Sequence, residues 1–207
     1  MGDRVTSFYP TSVLHRSLPG MEETNRALAA LVRDMEAGGE NFAAATTTDG
    51  GFQTSPELFK RDHPALAVLK GHVRAAVQNY AQLLVGQECS AKPPRLEFGL
   101  WGWAVILRAG NGQGVHVHPY ANISGVYYVE APPTLLAGTS DAGRICFHDP
   151  RPRANMNQLP RQITRQSVAP VPGDLVVFPS WLEHSVPAFQ GAGERICIAF
   201  NAALITG

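Results

Sequence analysis

From about Pro94 onward the chain changes texture, and that change decides what it can fold into. Runs of four to ten residues rich in Val, Ile, Phe, Trp and Tyr alternate with clusters of Gly, Pro, Asn and Asp. Short apolar runs cut by turn formers are the pattern of a β sandwich or barrel. The runs predict strands near 95–108, 114–118, 123–130, 143–148, 162–168, 174–179, 183–187 and 194–202. About eight short strands with no helical stretch between them fit a double-sheet jelly roll.

The first 93 residues have a different period. Leu28, Leu31, Val32 and Met35 recur at steps of three and four, and Gly38-Gly39 stops the run, which is helical spacing with a helical stop. Ser17-Leu18-Pro19 reads as the start of that helix, with Pro in the first turn. A second helix is predicted from Asp62-His63-Pro64, with Leu66, Leu69, Val73, Val77, Tyr80 and Leu84 on one stripe and Gly86 at its end. Thr46 to Gly51 reads as a polar turn or loop. The expected architecture is a mainly β, double-stranded β-helix. It forms a single domain over 1–207, in which a helical part (1–93) packs on a jelly-roll core (94–207).

Composition removes several functions. Lys plus Arg equals Asp plus Glu, 17 each, whereas a dedicated nucleic-acid binder carries a basic excess. The longest apolar stretch, Phe98 to Leu107, is broken by glycines and is half the ~20 residues needed to span a bilayer. Neither a nucleic-acid nor a membrane partner is expected. The N-terminal MGDRVTSFYP has no apolar signal core. Cys89, Cys146 and Cys197 are few and scattered, which argues against a disulfide framework or a thiolate zinc site. A cytoplasmic protein is the expectation. Were the Leu28/Leu31/Met35 face left bare, it would mark a homodimer interface.

The residues that carry chemistry lie in the β region. His116-Val117-His118 places two imidazoles at i and i+2, on one face of a strand. His184 follows at a distance, within Phe178 to Val186. Two close ligands and one distant one build a three-ligand face with open positions, as a non-haem Fe(II) oxygenase needs. Glu183 alternates to the other face, and His15, His63, His72 and His148 read as ordinary hydrogen-bonded residues. Gln190 to Gly193 reads as a hairpin turn that sets Arg195 opposite His184 on a returning strand. A guanidinium in an apolar strand needs an anion. That anion is a dicarboxylate co-substrate, or else Asp174 or Glu194. Tyr127 and Tyr128 face opposite ways, and the one inside the barrel, taken as Tyr128, is a candidate co-substrate partner. Asn122 and Ser124 lie close enough to the His-x-His strand to touch a ligand. Trp101 and Trp103 share one face and read as core. Gly110 to Gly114 reads as a turn feeding the His116 strand.

These blocks resemble a family. His116-Val-His118-Pro-Tyr-Ala-Asn-Ile-Ser124-Gly-Val-Tyr-Tyr128-Val is similar to the HxHP…SGVYYV block of bacterial and phage 2-oxoglutarate/Fe(II) oxygenases. Asp149-Pro150-Arg151, Pro172-Gly173 through Val186, and Glu194-Arg195-Ile196 through Asn201 follow in the family's order. The resemblance covers about 98–202. It implies a jelly roll, Fe(II), 2-oxoglutarate and O2, with His184 as the distal iron ligand and Arg195 as the co-substrate arginine. It implies hydroxylation of a small molecule or peptide. One position departs: the wider superfamily has Asp or Glu where His118 stands. His118 is therefore either the third metal ligand, completing a catalytic set with His116 and His184, or a group behind the ligands. Two other readings stay open. One is a cupin-type metalloprotein that does not use 2-oxoglutarate, although Asn122-Ile123 stand where its usual glutamate would be. The other is a non-catalytic jelly roll that holds a ligand at its mouth.

Overall fold

The computed structural model describes residues 2–42, 47–88, 96–154, 156, 160 and 163–205. Its elements are β1 (Leu14–Ser17), α1 (Glu22–Ala37), β2 (Thr48–Asp49), β3 (Phe52–Gln53), α2 (Pro64–Glu88), β4 (Phe98–Leu107) and β5 (Gly112–His116). There follow β6 (Ile123–Glu130), α3 (Pro133–Ala137), β7 (Ile145–His148), β8 (Arg165–Val168), β9 (Asp174–Pro179), β10 (His184–Val186) and β11 (Arg195–Leu204). A six-stranded sheet runs β1-β9-β6-β11-β4-β3, and a five-stranded sheet runs β2-β5-β10-β7-β8. Every named strand pair is antiparallel. This is the jelly roll expected from the strand texture.

Alternation along the strands makes two apolar layers. Tyr127, Val129, Leu175, Val177, Ile196, Ile198 and Phe200 face outward from the large sheet and meet the helices. Leu28, Val32 and Met35 of α1 and Leu66, Leu69, Val73 and Val77 of α2 close over them. The Leu28/Met35 face is therefore covered within the chain. The opposite parity, Val105, Leu107, Val126, Tyr128, Val176, Phe178 and Cys197, faces the small sheet and packs on Ile145, Phe147 and Val186.

Several local expectations change. Ser17-Leu18-Pro19 does not start a helix: Ser17 closes β1, which pairs with β9, and α1 begins at Glu22. The edge of β9 offers free backbone groups there, and pairing outweighs the local helix signal. The stop at Gly38-Gly39 holds, with Gly39 at φ 79°. α2 starts at Pro64 as expected but continues past Gly86 to Glu88. The polar turn at 46–51 carries the short edge strand β2, and β3 follows it at once; Thr46 lies outside the described residues, as does Cys89. α3 had no periodic signal, being only one turn long.

The largest correction concerns the hairpin. β10 and β11 do not pair: β10 lies between β5 and β7 in the small sheet, and β11 between β4 and β6 in the large one. Pro187 has no N–H for a ladder, and it ends β10. The chain then crosses between the sheets, with Pro187 O taking the amide of Gly143 and Phe189 O that of Gly110. Arg195 stands opposite Leu107, not His184.

Candidate metal centre and co-substrate pocket

His116 ends β5 and His184 begins β10, and the two are direct cross-strand partners. Their rings lie 4.2 Å apart between centroids. The neighbouring strands come this close because Gly112 lacks a side chain. A Cβ there would sit 2.7 Å from the Val186 carbonyl and 3.0 Å from the Ala188 nitrogen. His118 lies two residues beyond the end of β5, where its amide donates to Ser180 O. That bond turns its ring back onto the same point. The His118 and His184 rings are 5.2 Å apart and nearly parallel.

Backbone carbonyls fix two of the three tautomers. His116 Nδ1 donates to Gly114 O at 2.7 Å, and His184 Nδ1 donates to Leu182 O at 2.8 Å. A carbonyl only accepts, so each Nδ1 carries the proton and each Nε2 offers a lone pair. One ligand nitrogen from each ring lies within 4.8 Å of the others, and Nε2 of His118 is 3.3 Å from Nε2 of His184. Two imidazole nitrogens bound at right angles to one metal at ~2.1 Å stand ~3 Å apart. The set therefore fits a single transition-metal ion, with three neutral donors on one side and no carboxylate among them. Burial keeps the rings neutral. It lowers the His116 pKa, takes His118 down to about 4 with help from His116, and takes His184 down to about 3.

Aromatic side chains support the cluster. Phe178 meets the His184 ring edge-on at 4.8 Å, Phe147 lies 6.2 Å from it, and Trp103 lies 5.6 Å from His118. Trp103 had read as core. Nothing in the local sequence separates it from a packing residue, because its contact with His118 is between the two sheets.

Arg195 faces the space between the sheets, on the parity of Cys197, and is 1% exposed. Its Nε donates to Gly143 O at 2.8 Å, and Nη1 lies 3.3 Å from Cys197 Sγ. Its guanidinium carbon sits 5.2 Å from the centre of the Tyr128 ring. Asp174 is engaged by His15 and Ser17, and Glu194 by Arg33 and Arg108. Among the described residues no carboxylate pairs with Arg195. Beside it the Tyr128 hydroxyl is buried and, next to Arg195, makes no well-formed hydrogen bond among the described residues, and burial pushes its pKa up. A buried cation without an anion and an orphaned phenol side by side fit a carboxylate that comes from outside the chain. Tyr127 points the other way and donates to Asn25 Oδ1.

Two of the anticipated ligand contacts have other partners. Ser124 Oγ donates to Asn201 Oδ1 at 2.7 Å, and Asn122 Oδ1 accepts the Leu204 amide at 2.8 Å. Both bonds tie β6 and its approach to β11. Asp149 takes its hydrogen bonds from Arg151 and is not among the histidines.

The fold defines the class: a double-stranded β-helix with a histidine cluster at one end. Residues 102–201 match the model of the family described as "Putative 2OG-Fe(II) oxygenase". That stretch contains all three histidines, Tyr128 and Arg195, so the part of the chain that carries the site is similar to the 2OG-Fe(II) oxygenase family. No curated protein matches the chain in sequence. Among solved structures, a prolyl-4-hydroxylase from Pseudomonas putida shares 22% identity at TM-score 0.59, with 95% of this chain and 94% of that one covered. HygX from Streptomyces hygroscopicus, with nickel and 2-oxoglutarate bound, shares 12% at TM-score 0.61, with 93% and 82% covered. A prolyl hydroxylase from Trichoplax adhaerens, in complex with a hypoxia inducible factor peptide fragment, shares 13% at TM-score 0.58, with 92% and 83% covered. At these identities the likeness is one of fold.

Proposed function

We propose that the chain is an Fe(II)- and 2-oxoglutarate-dependent dioxygenase that hydroxylates a small-molecule or peptide substrate. In this reading His116, His118 and His184 hold the metal through Nε2. Arg195 and Tyr128 receive the far carboxylate of 2-oxoglutarate. The observation that carries it is the pairing of a neutral three-nitrogen face with a buried cation that no carboxylate of the described residues pairs, inside one barrel. The family match supports the same chemistry.

Fe(II), when bound, supplies the open positions at which O2 and the 2-oxo acid meet and the redox chemistry between them. The reaction balances: one oxygen atom enters the C–H bond of the substrate, and the other enters succinate as CO2 leaves. The chain's part is placement. Gly114 O and Leu182 O hold two imidazoles in the ligand tautomer, which also strengthens them as donors. The Arg195 fork matches a carboxylate in two hydrogen bonds, and the Tyr128 hydroxyl adds a third donor. Phe147, Phe178 and Trp103 keep water from the back of the histidines.

The test is metal content. Protein loaded anaerobically with Fe(II) and desalted is expected to keep one iron per chain, and the His184→Ala variant none. Full iron retention by His184→Ala would place the metal elsewhere and end this reading.

A further inference from the structure

The large sheet runs past the histidine cluster. β4 and β11 are ten residues each and pair along their whole length, whereas β5 and β10, which bring His116 and His184, are five and three. On the inward parity Val105, Leu107, Arg195 and Cys197 are buried, but Gly99, Trp101, Trp103, Ala199 and Ala203 reach solvent. A Cβ placed on Gly99 meets nothing within 4 Å, so the space over this end of the sheet is open. The result is a shelf between the sheets, floored by two indoles and small side chains.

The shelf reaches the histidines. Val176, Val126, Ala199 and Trp103 form one cross-strand row, and Trp103 lies 5.6 Å from the His118 ring. Phe178, Ser124, Asn201 and Trp101 form the next, and Phe178 meets the His184 ring at 4.8 Å. Asn201 therefore stands in the row under the cluster, at its end away from Arg195. The distance from Arg195 to Asn201 along β11 is about 20 Å, farther than 2-oxoglutarate extends from that guanidinium.

Asn201 has a donor to spare. It is 7% exposed, and its Oδ1 accepts the Ser124 hydroxyl at 2.7 Å. That bond fixes the amide plane and leaves both Nδ2 hydrogens without an acceptor among the described residues. A buried amide so placed calls for an acceptor. Trp101, its cross-strand partner, offers a partly exposed indole beside it, on which a flat group can stack. Neither β4 nor β11 carries a charged side chain beyond Arg195, so an ion seated here would lack a counter-charge from this floor.

We propose that the shelf seats the prime substrate through an uncharged carbonyl that accepts from Asn201 Nδ2, with a flat apolar part of the substrate on Trp101. This rests on the oxygenase reading and names its substrate class: a neutral, amide-type carbonyl compound with an adjoining planar apolar group. Asn201 is the specificity-determining residue, and Ser124 positions it.

The test uses the metal-free full chain, so that it does not depend on iron chemistry. The probes are phenylacetamide, which offers a carbonyl, and 2-phenylethylamine, a cation of similar size that only donates. Binding is followed by calorimetry and by the indole N–H signals of the three tryptophans in NMR spectra. The amide is expected to bind about fivefold or more tighter than the amine, the worth of one neutral hydrogen bond, and to shift the Trp101 and Trp103 signals while leaving Trp181 in place. Asn201→Asp keeps the oxygen that Ser124 uses and replaces the donor by an acceptor, so it should reverse the order of the two probes. An asparagine that merely tied β6 to β11 would not move that order. Trp101→Ala, at a partly exposed position, should weaken both probes. Equal affinity for the two probes in wild type, an unchanged order in Asn201→Asp, a shift of Trp181 alone, or no saturable binding overturns the proposal. Because no metal is present, such a failure leaves the oxygenase reading standing, while loss of iron binding in wild type would fail that reading and leave these probe affinities unchanged.

Discussion

Arg195 is a guanidinium at 1% exposure with no carboxylate beside it among the described residues, and burying such a charge is expensive unless a partner arrives. Under the proposed function the partner is the co-substrate. Arg195→Ala should lower 2-oxoglutarate affinity about ten- to a hundredfold, the worth of a lost charged hydrogen bond, with iron content unchanged. Arg195→Lys should recover part of that loss, since the charge remains but the fork does not. Equal loss of iron and 2-oxoglutarate in Arg195→Ala would make the residue a structural one. Tyr128→Phe keeps the ring and removes only the orphaned hydroxyl, and it should weaken 2-oxoglutarate by about fivefold, the worth of one neutral hydrogen bond. The histidines give a pH prediction for metal-free protein. Their folded pKa values lie below the unfolded ~6.5, so below that pH the unfolded chain binds more protons and stability rises with pH. Stability is whole above about 6.5 and is lost as pH falls toward the folded values of about 4 for His118 and about 3 for His184. Urea titrations of chelated protein at pH 7 and pH 5 check this, and equal midpoints would contradict it. The histidine set was legible in the sequence because i and i+2 on one strand need only local geometry, although His118 turned out to lie beyond the strand's end. The inward aim of Arg195 was legible from alternation with Cys197.

At the scale of elements, the site depends on how closely β5 approaches β10. Gly112 sits where any side chain would press on the Val186 carbonyl. Gly112→Ala should therefore push the two strands apart and weaken iron binding and stability together, by about 1–3 kcal/mol in the latter. A variant with normal iron affinity and an unchanged melting point would show that the strand approach is not needed. The neighbour of Arg195 was not legible. A Gly-rich turn between two apolar runs reads as a hairpin, but Pro187 carries the chain to the other sheet, and only the whole topology reveals that. The same holds for β1: a helix start was visible locally, while the open edge of β9 that captures Leu14–Ser17 lies about 160 residues away in sequence. Elements specified by their own periodicity, such as α1, α2 and the long strands β4, β6 and β11, were legible. Those specified by a distant edge were not.

Across the whole molecule, α1 is joined to the barrel by charge as well as by its apolar face. Arg33 bonds Glu130 and Glu194, and Arg108 bonds Glu36 and Glu194. Glu36 and Arg33 belong to α1, Glu130 to β6, and Glu194 and Arg108 flank β11 and β4. We propose that helices and β-helix form one cooperative unit. Far-UV and near-UV circular dichroism should then melt at one temperature, and Leu28→Ala, which opens a cavity under α1, should lower both signals together at a cost of about 2–5 kcal/mol. Two separate transitions would contradict this. Among the described residues no helix is long and apolar enough to cross a membrane. The proposed function has one barrel end hold iron on His116, His118 and His184 while Arg195 and Tyr128 receive 2-oxoglutarate. Its most direct test is an anaerobic titration of the Fe(II)-loaded protein with 2-oxoglutarate, followed in visible light. A charge-transfer band is expected that saturates at one equivalent per chain, disappears in His184→Ala, and needs at least tenfold more 2-oxoglutarate in Arg195→Ala. Iron that binds tightly and yet gives no band at any 2-oxoglutarate concentration would contradict it.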